Sequence, residues 1–293
     1  MLDGAMLVWF ALTICSVVFV VADSAFNGVT SWVQRTAWIL VTAYTGPVGL
    51  VFYLLACRRP LPGTHDAFTS ATWKQALNSE MHCLAGDATG IVIAASILPV
   101  FGLTNGWDAT VEYLAAFVSG LFIFQALMMV GMYDGDYWKA VRKTFFAETV
   151  SMNMVMTGML PVMLILGRHW PGSDEPQNPS FWFRMSLATI VGGVVAYPIN
   201  HWLVANRLKH GCMTLPGADT PAPGLGHVSP EPSMMMDHAQ MQRATSSVGT
   251  ALDEPAHTMA ELSTGRETAI IAATFAILLG AVWLTNLVVP VRF

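Results

Sequence analysis

The sequence predicts an all-α polytopic transmembrane bundle of about seven helices, and three observations carry that prediction. The 293 residues are 54% hydrophobic and 11% charged, whereas a soluble domain carries charge on about a quarter of its residues. Mean hydropathy is +0.52. Seven segments are apolar over the roughly 20 residues that a helix needs to cross a bilayer. Lipid is therefore the expected solvent, and the lipid bilayer the first expected partner.

The segments run 5–21, 37–56, 81–101, 111–132, 149–166, 182–204 and 268–289. The first has no basic flank and no small-residue cleavage site, so it reads as a retained helix and not as a signal peptide. The second contains a breaker, Gly46-Pro47, with Thr42 one turn before it. The third is entered through an amphipathic lead-in from Trp73 and carries His82, Cys83 and Asp87 near its start. The fifth is rich in methionine, and the sixth has Pro198, which removes a backbone donor and loosens the Val194 carbonyl. Trp32, Trp38, Trp107, Tyr137, Trp138, Trp170 and Trp182 mark the interfaces, where amphipathic rings concentrate.

Four regions follow: an N-terminal helix and loop (1–36), a helical membrane core (37–210), a Met/His-containing stretch (211–265) and a C-terminal helix (266–293). The stretch 211–265 is rich in Pro, Gly, Ser, Thr and Met and has no apolar periodicity, so it is expected to be disordered. Basic residues set the expected orientation. With the N-terminus cytoplasmic, ten of the Lys and Arg side chains fall inside and four (Arg35, Arg168, Arg184, Arg292) outside. The expected location is a bacterial inner membrane.

Composition also excludes. A net charge of −5 and a pI of 5.9 give no support for nucleic-acid binding, so no nucleic acid is expected as a partner. Four cysteines without a close pair fit neither a disulfide framework nor a zinc finger. No GxSxG, HExxH, Walker or dinucleotide motif is present.

The candidate site residues are those that cost most at membrane depth. On the third helix Cys83, Asp87, Gly90 and Ala94 share a face: a soft ligand, a carboxylate, and small residues that let another backbone come close. His82 points about 100° away. Alternatively, His82 bonds a backbone carbonyl and Cys83 is a small buried hydrophobe. On the fifth helix Glu148, Met152, Met156, Met159 and Met163 fall within one arc, extending about 22 Å along the axis. Thioethers and thiolates select copper(I) over hard ions, though methionine also serves as a flexible filler between helices. On the sixth, Tyr197 and His201 lie one turn apart with Asn200 beside them. In the 211–265 stretch, Met236 and His238 belong to a Met/His cluster of a kind that captures copper; compositional drift explains such a cluster equally.

Several stretches together resemble a bacterial integral-membrane family described as a domain of unknown function (DUF4396). They are TAYTGPVGLVFY (Thr42 to Tyr53), WKQALNSEMHCLAGDATG (Trp73 to Gly90), FAETVSMNM (Phe146 to Met154) and the long run from Phe181 to Met213 that includes AYPINHWL. The resemblance covers the second through the sixth helix and implies a helical membrane core with no settled activity.

The residues thus point to a membrane protein of soft-metal transport or homeostasis, with copper(I) as the metal. Its path would be the methionine row together with Cys83 and Asp87. The rival is a non-transporting subunit or assembly factor, partnered by another membrane protein, whose polar core only holds helices together. A membrane enzyme using His82, Asp87 and His201 ranks last.

Overall fold

The computed structural model describes residues 2–27, 31–58, 68–211, 260 and 262–293. Its elements are helical throughout those residues. Helix α1 spans Leu2–Asn27, α2 Trp32–Thr45, and α3 Pro47–Phe52, which runs on as a π-helical turn Tyr53–Cys57. Helix α4 spans Thr72–Ile97 and ends in a 3₁₀ turn; α5 spans Asn105–Val118 and passes into a π-helical stretch, Ser119–Gln125. Helix α6 spans Tyr137–His169, α7 Pro179–Ala205 and α8 Thr264–Asn286. The expected disorder of 211–265, together with Met236 and His238, falls almost wholly outside the described residues.

Six of the expected segments are helices long and apolar enough to cross a membrane. Several extend beyond the apolar run because their ends are capped. Asp136 accepts the Lys139 backbone N–H at 2.9 Å, which starts α6 a dozen residues before its apolar stretch. Arg168 and His169 close the same helix where its dipole favours cations. Pro179 occupies the first turn of α7, where its missing N–H costs nothing.

The second expected segment, 37–56, behaves differently: it folds back on itself. Gly46 has φ +59°, which L side chains rarely adopt, and Pro47 starts a new helix there. Trp38 and Tyr53, fifteen positions apart, meet edge to face at 5.6 Å. In one straight helix they would be about 22 Å apart. Asn78 of α4 clasps both arms: it accepts from Trp38 Nε1 (3.1 Å) and donates to the Ala56 carbonyl (2.9 Å). Gln34, at the head of α2, reaches the Asn78 carbonyl at 3.2 Å.

Against α1 the same path is visible. A Cβ on Gly46 would stand 3.1 Å from the Trp9 ring, while Tyr53 and Arg58 return to Asp23, each at 3.0 Å. Residues 32–57 therefore enter and leave on the Asn27 side of α1, as a re-entrant helical hairpin. The carbonyls at its breaks find partners within the protein, Thr42 O accepting from the Gly46 N–H and Ala56 O from Asn78, the condition under which irregular backbone is tolerated at membrane depth.

Helices approach closely where small residues meet. A Cβ on Gly86 of α4 would lie 2.8 Å from the Gly120 Cα, and one on Gly158 of α6 would lie 2.8 Å from the Gly192 Cα of α7. Glycine at these crossings brings backbones together, the packing that lipid-solvated helices rely on. The N-terminal end of α5 is tied to the chain beyond α8, with Asn105 bonded to the Pro290 carbonyl and the Arg292 N–H.

Candidate functional site

The crossing of α4, α5 and α6 gathers the ionisable groups. Helix α4 presents Glu80, Cys83 and Asp87 at helical spacings, and α6 presents Glu148 and Ser151; all five are fully buried. Gly120, in the π-helical stretch of α5, makes the space. A Cβ there would stand 2.7 Å from Asp87 Oδ1 and closer still to Glu148 Oε1. The two carboxylates thus converge over one glycine. A π-helical turn re-aims the backbone locally and recurs at functional sites.

Cys83 links this pair to a cation. Its Sγ lies 2.9 Å from Glu148 Oε2 and 3.1 Å from Lys209 Nζ. Lys209 also donates to Asn200 Oδ1 (2.6 Å) and Ser151 Oγ (3.2 Å). It reaches the interior through the way α7 ends. Arg207 takes a left-handed φ of +57°, the Leu208 N–H bonds the Leu203 carbonyl at 2.8 Å, and Leu203 and Leu208 share an apolar cluster. That is a Schellman closure, and it turns the next side chain back into the bundle. Burial pulls the Lys209 ammonium down, but the facing Cys83 and Glu148 outweigh it and hold it above the usual lysine range. Lys209 therefore stays charged.

Charge bookkeeping at the centre is uneven. Both oxygens of Asp87, Glu148 Oε1 and both oxygens of Glu80 have no hydrogen-bond partner. A buried ionised group without compensation is strongly unfavourable. Two carboxyl groups at the Gly120 crossing face one ammonium.

The candidate residues divide accordingly. Cys83, Asp87 and Glu148 come together, and His82 stays beside them with Nδ1 3.5 Å from Cys83 Sγ. Met152, Met156, Met159 and Met163 are buried in the apolar core. Met159 packs against Gly192 of α7. Met163 also lines a cavity of about 520 Å³ at the far end of the bundle, beside Asp108, Glu112 and Arg184. His201 is not drawn into the cluster: it is half-buried against the Tyr197 ring at 6.1 Å, while its neighbour Asn200 turns inward. Among the described residues no three His, Cys, Asp or Glu side chains are grouped to hold a metal ion.

Sequence reasoning missed Lys209, Glu80 and Gly120. Lys209 was counted only as an interfacial basic residue, since nothing local announces that a C-cap points it inward. Glu80 sits before the apolar run that defines the span. Asn153, which accepts from the Tyr113 hydroxyl (2.7 Å) and donates to Thr274 (3.0 Å), ties α6 to α5 and α8. Its signal was available: a lone amide inside an apolar helix usually meets a partner across an interface.

Residues 72–209 match the sequence model of a family described as a domain of unknown function, DUF4396. Residues 72–209 are a DUF4396 domain. No curated protein and no solved structure matches the chain. The DUF4396 domain opens at the first residue of α4 and closes on Lys209. It therefore contains Glu80, Cys83, Asp87, Gly120, Glu148, Ser151, Asn200 and Lys209, the whole polar centre. Helix α1, the re-entrant hairpin and α8 lie outside it, including Thr42 to Tyr53.

Proposed function

We propose that the protein carries a soft univalent cation, copper(I), through the bilayer, with the Asp87–Glu148 pair at its centre and Cys83 beside it. The observation that carries this reading is the convergence of two buried carboxylates over Gly120 with three of their four oxygens unpartnered. An additional cation would satisfy those oxygens. The Cys83 sulfur in contact with Glu148 makes a soft ion the better fit. From Glu148 the thioethers of Met152, Met156, Met159 and Met163 lead toward the acidic cavity that Met163 borders. In this mechanism the cavity collects the ion and the methionines pass it inward. The carboxylate pair neutralises it, and Lys209 is the charge that the arriving ion repels.

The test uses purified protein at matched membrane levels, with copper quantified by mass spectrometry. Met and Leu have similar volumes, and such swaps in a core typically cost under about 1.5 kcal/mol. Replacing all four methionines by leucine is therefore expected to keep the fold and to lose copper, and Asp87→Asn to do the same. Met154→Leu, on the opposite face, is expected to change nothing. Equal copper in wild type and quadruple variant removes the methionine row from the mechanism.

A second reading, a non-transporting subunit or assembly factor for another membrane protein, is favoured by one observation. The α6–α7 contact is closed by Gly158 on Gly192 and locked by Ser151, Asn200 and Lys209. Under it, the same variants lower stability and leave no copper phenotype at equal protein level.

For location we propose the plasma membrane of a bacterium, with the Leu2 end of α1 on the non-cytoplasmic side. This reverses the side expected for the N-terminus from seven simple crossings and keeps the rest of the chain as expected. A re-entrant hairpin moves Arg35 to the side of Arg58 and Lys74. Six crossings then leave Arg168, Arg184 and Arg292 opposite the other nine Lys and Arg of the described residues. The positive-inside rule assigns the richer side to the cytoplasm.

A further inference from the structure

A third buried carboxyl group, Glu80, lies on α4 one turn before Cys83, within electrostatic reach of Lys209, and has a cavity of its own. Glu80 is fully buried, and neither of its oxygens has a hydrogen-bond partner. It lines a cavity of about 250 Å³ between the re-entrant hairpin, α4 and α7. The rest of the wall is almost wholly apolar and aromatic, with Phe52, Leu84 and Trp73 among it; Thr45, Thr189 and Tyr197 bring the hydroxyls. Leu55 and Val194, at its edge, are exposed on the outer surface of the bundle. The cavity therefore opens sideways, toward lipid.

A hydrocarbon chain alone is a poor occupant, because it leaves a carboxylate unpaired in an apolar slot. Protonation removes the charge but leaves both oxygens without a partner. The occupant that answers both the wall and the carboxylate is apolar along its length and cationic, with N–H donors, at one end. We infer that this cavity binds a primary alkylammonium ligand, its chain against the hairpin and α7 and its ammonium on Glu80. Three N–H donors can serve both Glu80 oxygens and a neighbouring hydroxyl, and the aromatic rings of Trp73, Phe52 and Tyr197 favour a cation. The volume falls just below the range of drug-sized sites, so the ligand is short. The cavity joins the DUF4396 domain to the hairpin outside it.

The experiment photolabels full-length protein in membranes with a diazirine-bearing octylamine, maps the adducts by mass spectrometry, and repeats the labelling with the matching diazirine-bearing octanol. The amine is expected to label the cavity wall, to be competed by unlabelled octylamine, and to exceed the alcohol clearly. A hydrogen bond to a charged group contributes about 1.5–3 kcal/mol, so Glu80→Gln is expected to lower amine labelling at least roughly tenfold and to leave alcohol labelling unchanged. A second variant keeps the carboxylate: a Cβ on Gly193 would lie 3.3 Å from Leu84 and 3.7 Å from Glu80. Gly193→Leu thus fills the cavity and is expected to abolish labelling in protein with an unchanged elution profile. Equal labelling by amine and alcohol, or amine labelling that survives both variants, overturns the inference.

Discussion

At the scale of single residues, glycine decides where charge can sit. Gly120 has no side chain, and the space is taken by the carboxylates of Asp87 and Glu148. Adding one methyl there drives it into both oxygens and against the close approach of α4. Overpacking of this kind costs about 1–3 kcal/mol, so Gly120→Ala is expected to lower the melting temperature in detergent and to reduce copper content. Gly280 of α8 is the control, because nothing lies within 4 Å of a Cβ built there. Alanine in a helix interior is favoured over glycine by up to about 1 kcal/mol, so Gly280→Ala is expected to melt at or slightly above wild type. Equal melting of the two variants would contradict the crowding at Gly120. The sequence made Cys83, Asp87 and Glu148 visible as costly residues at depth. It could not reveal Gly120, since an isolated glycine in an apolar helix reads the same whether it faces lipid or a carboxylate pair.

At the scale of elements, the hairpin depends on Asn78. One side chain accepts from α2 through Trp38 and donates to the Ala56 carbonyl, which the π-helical turn leaves open. Truncation removes both bonds and leaves buried groups unpaired, a loss of roughly 1–3 kcal/mol for each group left unsatisfied. Asn78→Ala is therefore expected to loosen the second arm before it unfolds the bundle. Cys57, fully buried at the end of that arm, reports it. Maleimide labelling of Cys57, mapped by mass spectrometry, is expected to be slow in wild type and fast in Asn78→Ala; unchanged protection in the variant argues against the clasp. The helical segments themselves were legible from apolar run length, because lipid demands it. The fold-back was not. A Gly-Pro break in a run of twenty apolar residues has the same hydropathy whether it kinks a span or reverses it, and the deciding contacts lie over forty positions away, from Gln34 to Asn78.

At the scale of the whole molecule, that one reversal sets which side α1 begins on. Six crossing helices return the chain to the side where α1 began, so the Leu2 end of α1 and the Asn286 end of α8 share a face. The direct bonds from Asn105 and Gly106 to Arg292 put the start of α5 on that face as well. It is poor in basic residues, carrying Arg168, Arg184 and Arg292, and it holds the cavity in which Asp108, Glu112, Asp174 and Glu175 outnumber Arg168 and Arg184. Among the described residues the opposite face has the other nine Lys and Arg, Lys139, Arg142 and Lys143 among them, with Lys209 turned inward. Charge near helix ends sets orientation, so the acidic cavity is expected to open away from the cytoplasm, where an incoming cation would meet it. Alkaline phosphatase, which is active only after export, tests this when fused after Phe293 and, separately, at Gly224. High activity at Phe293 with low activity at Gly224 is expected. Seven simple crossings also put Phe293 outside, so the discriminating fusion is at the other end: a reporter preceding Met1 is expected to be exported and accessible to external protease. Protection there, with Phe293 exported, restores a seventh crossing and removes the re-entrant hairpin.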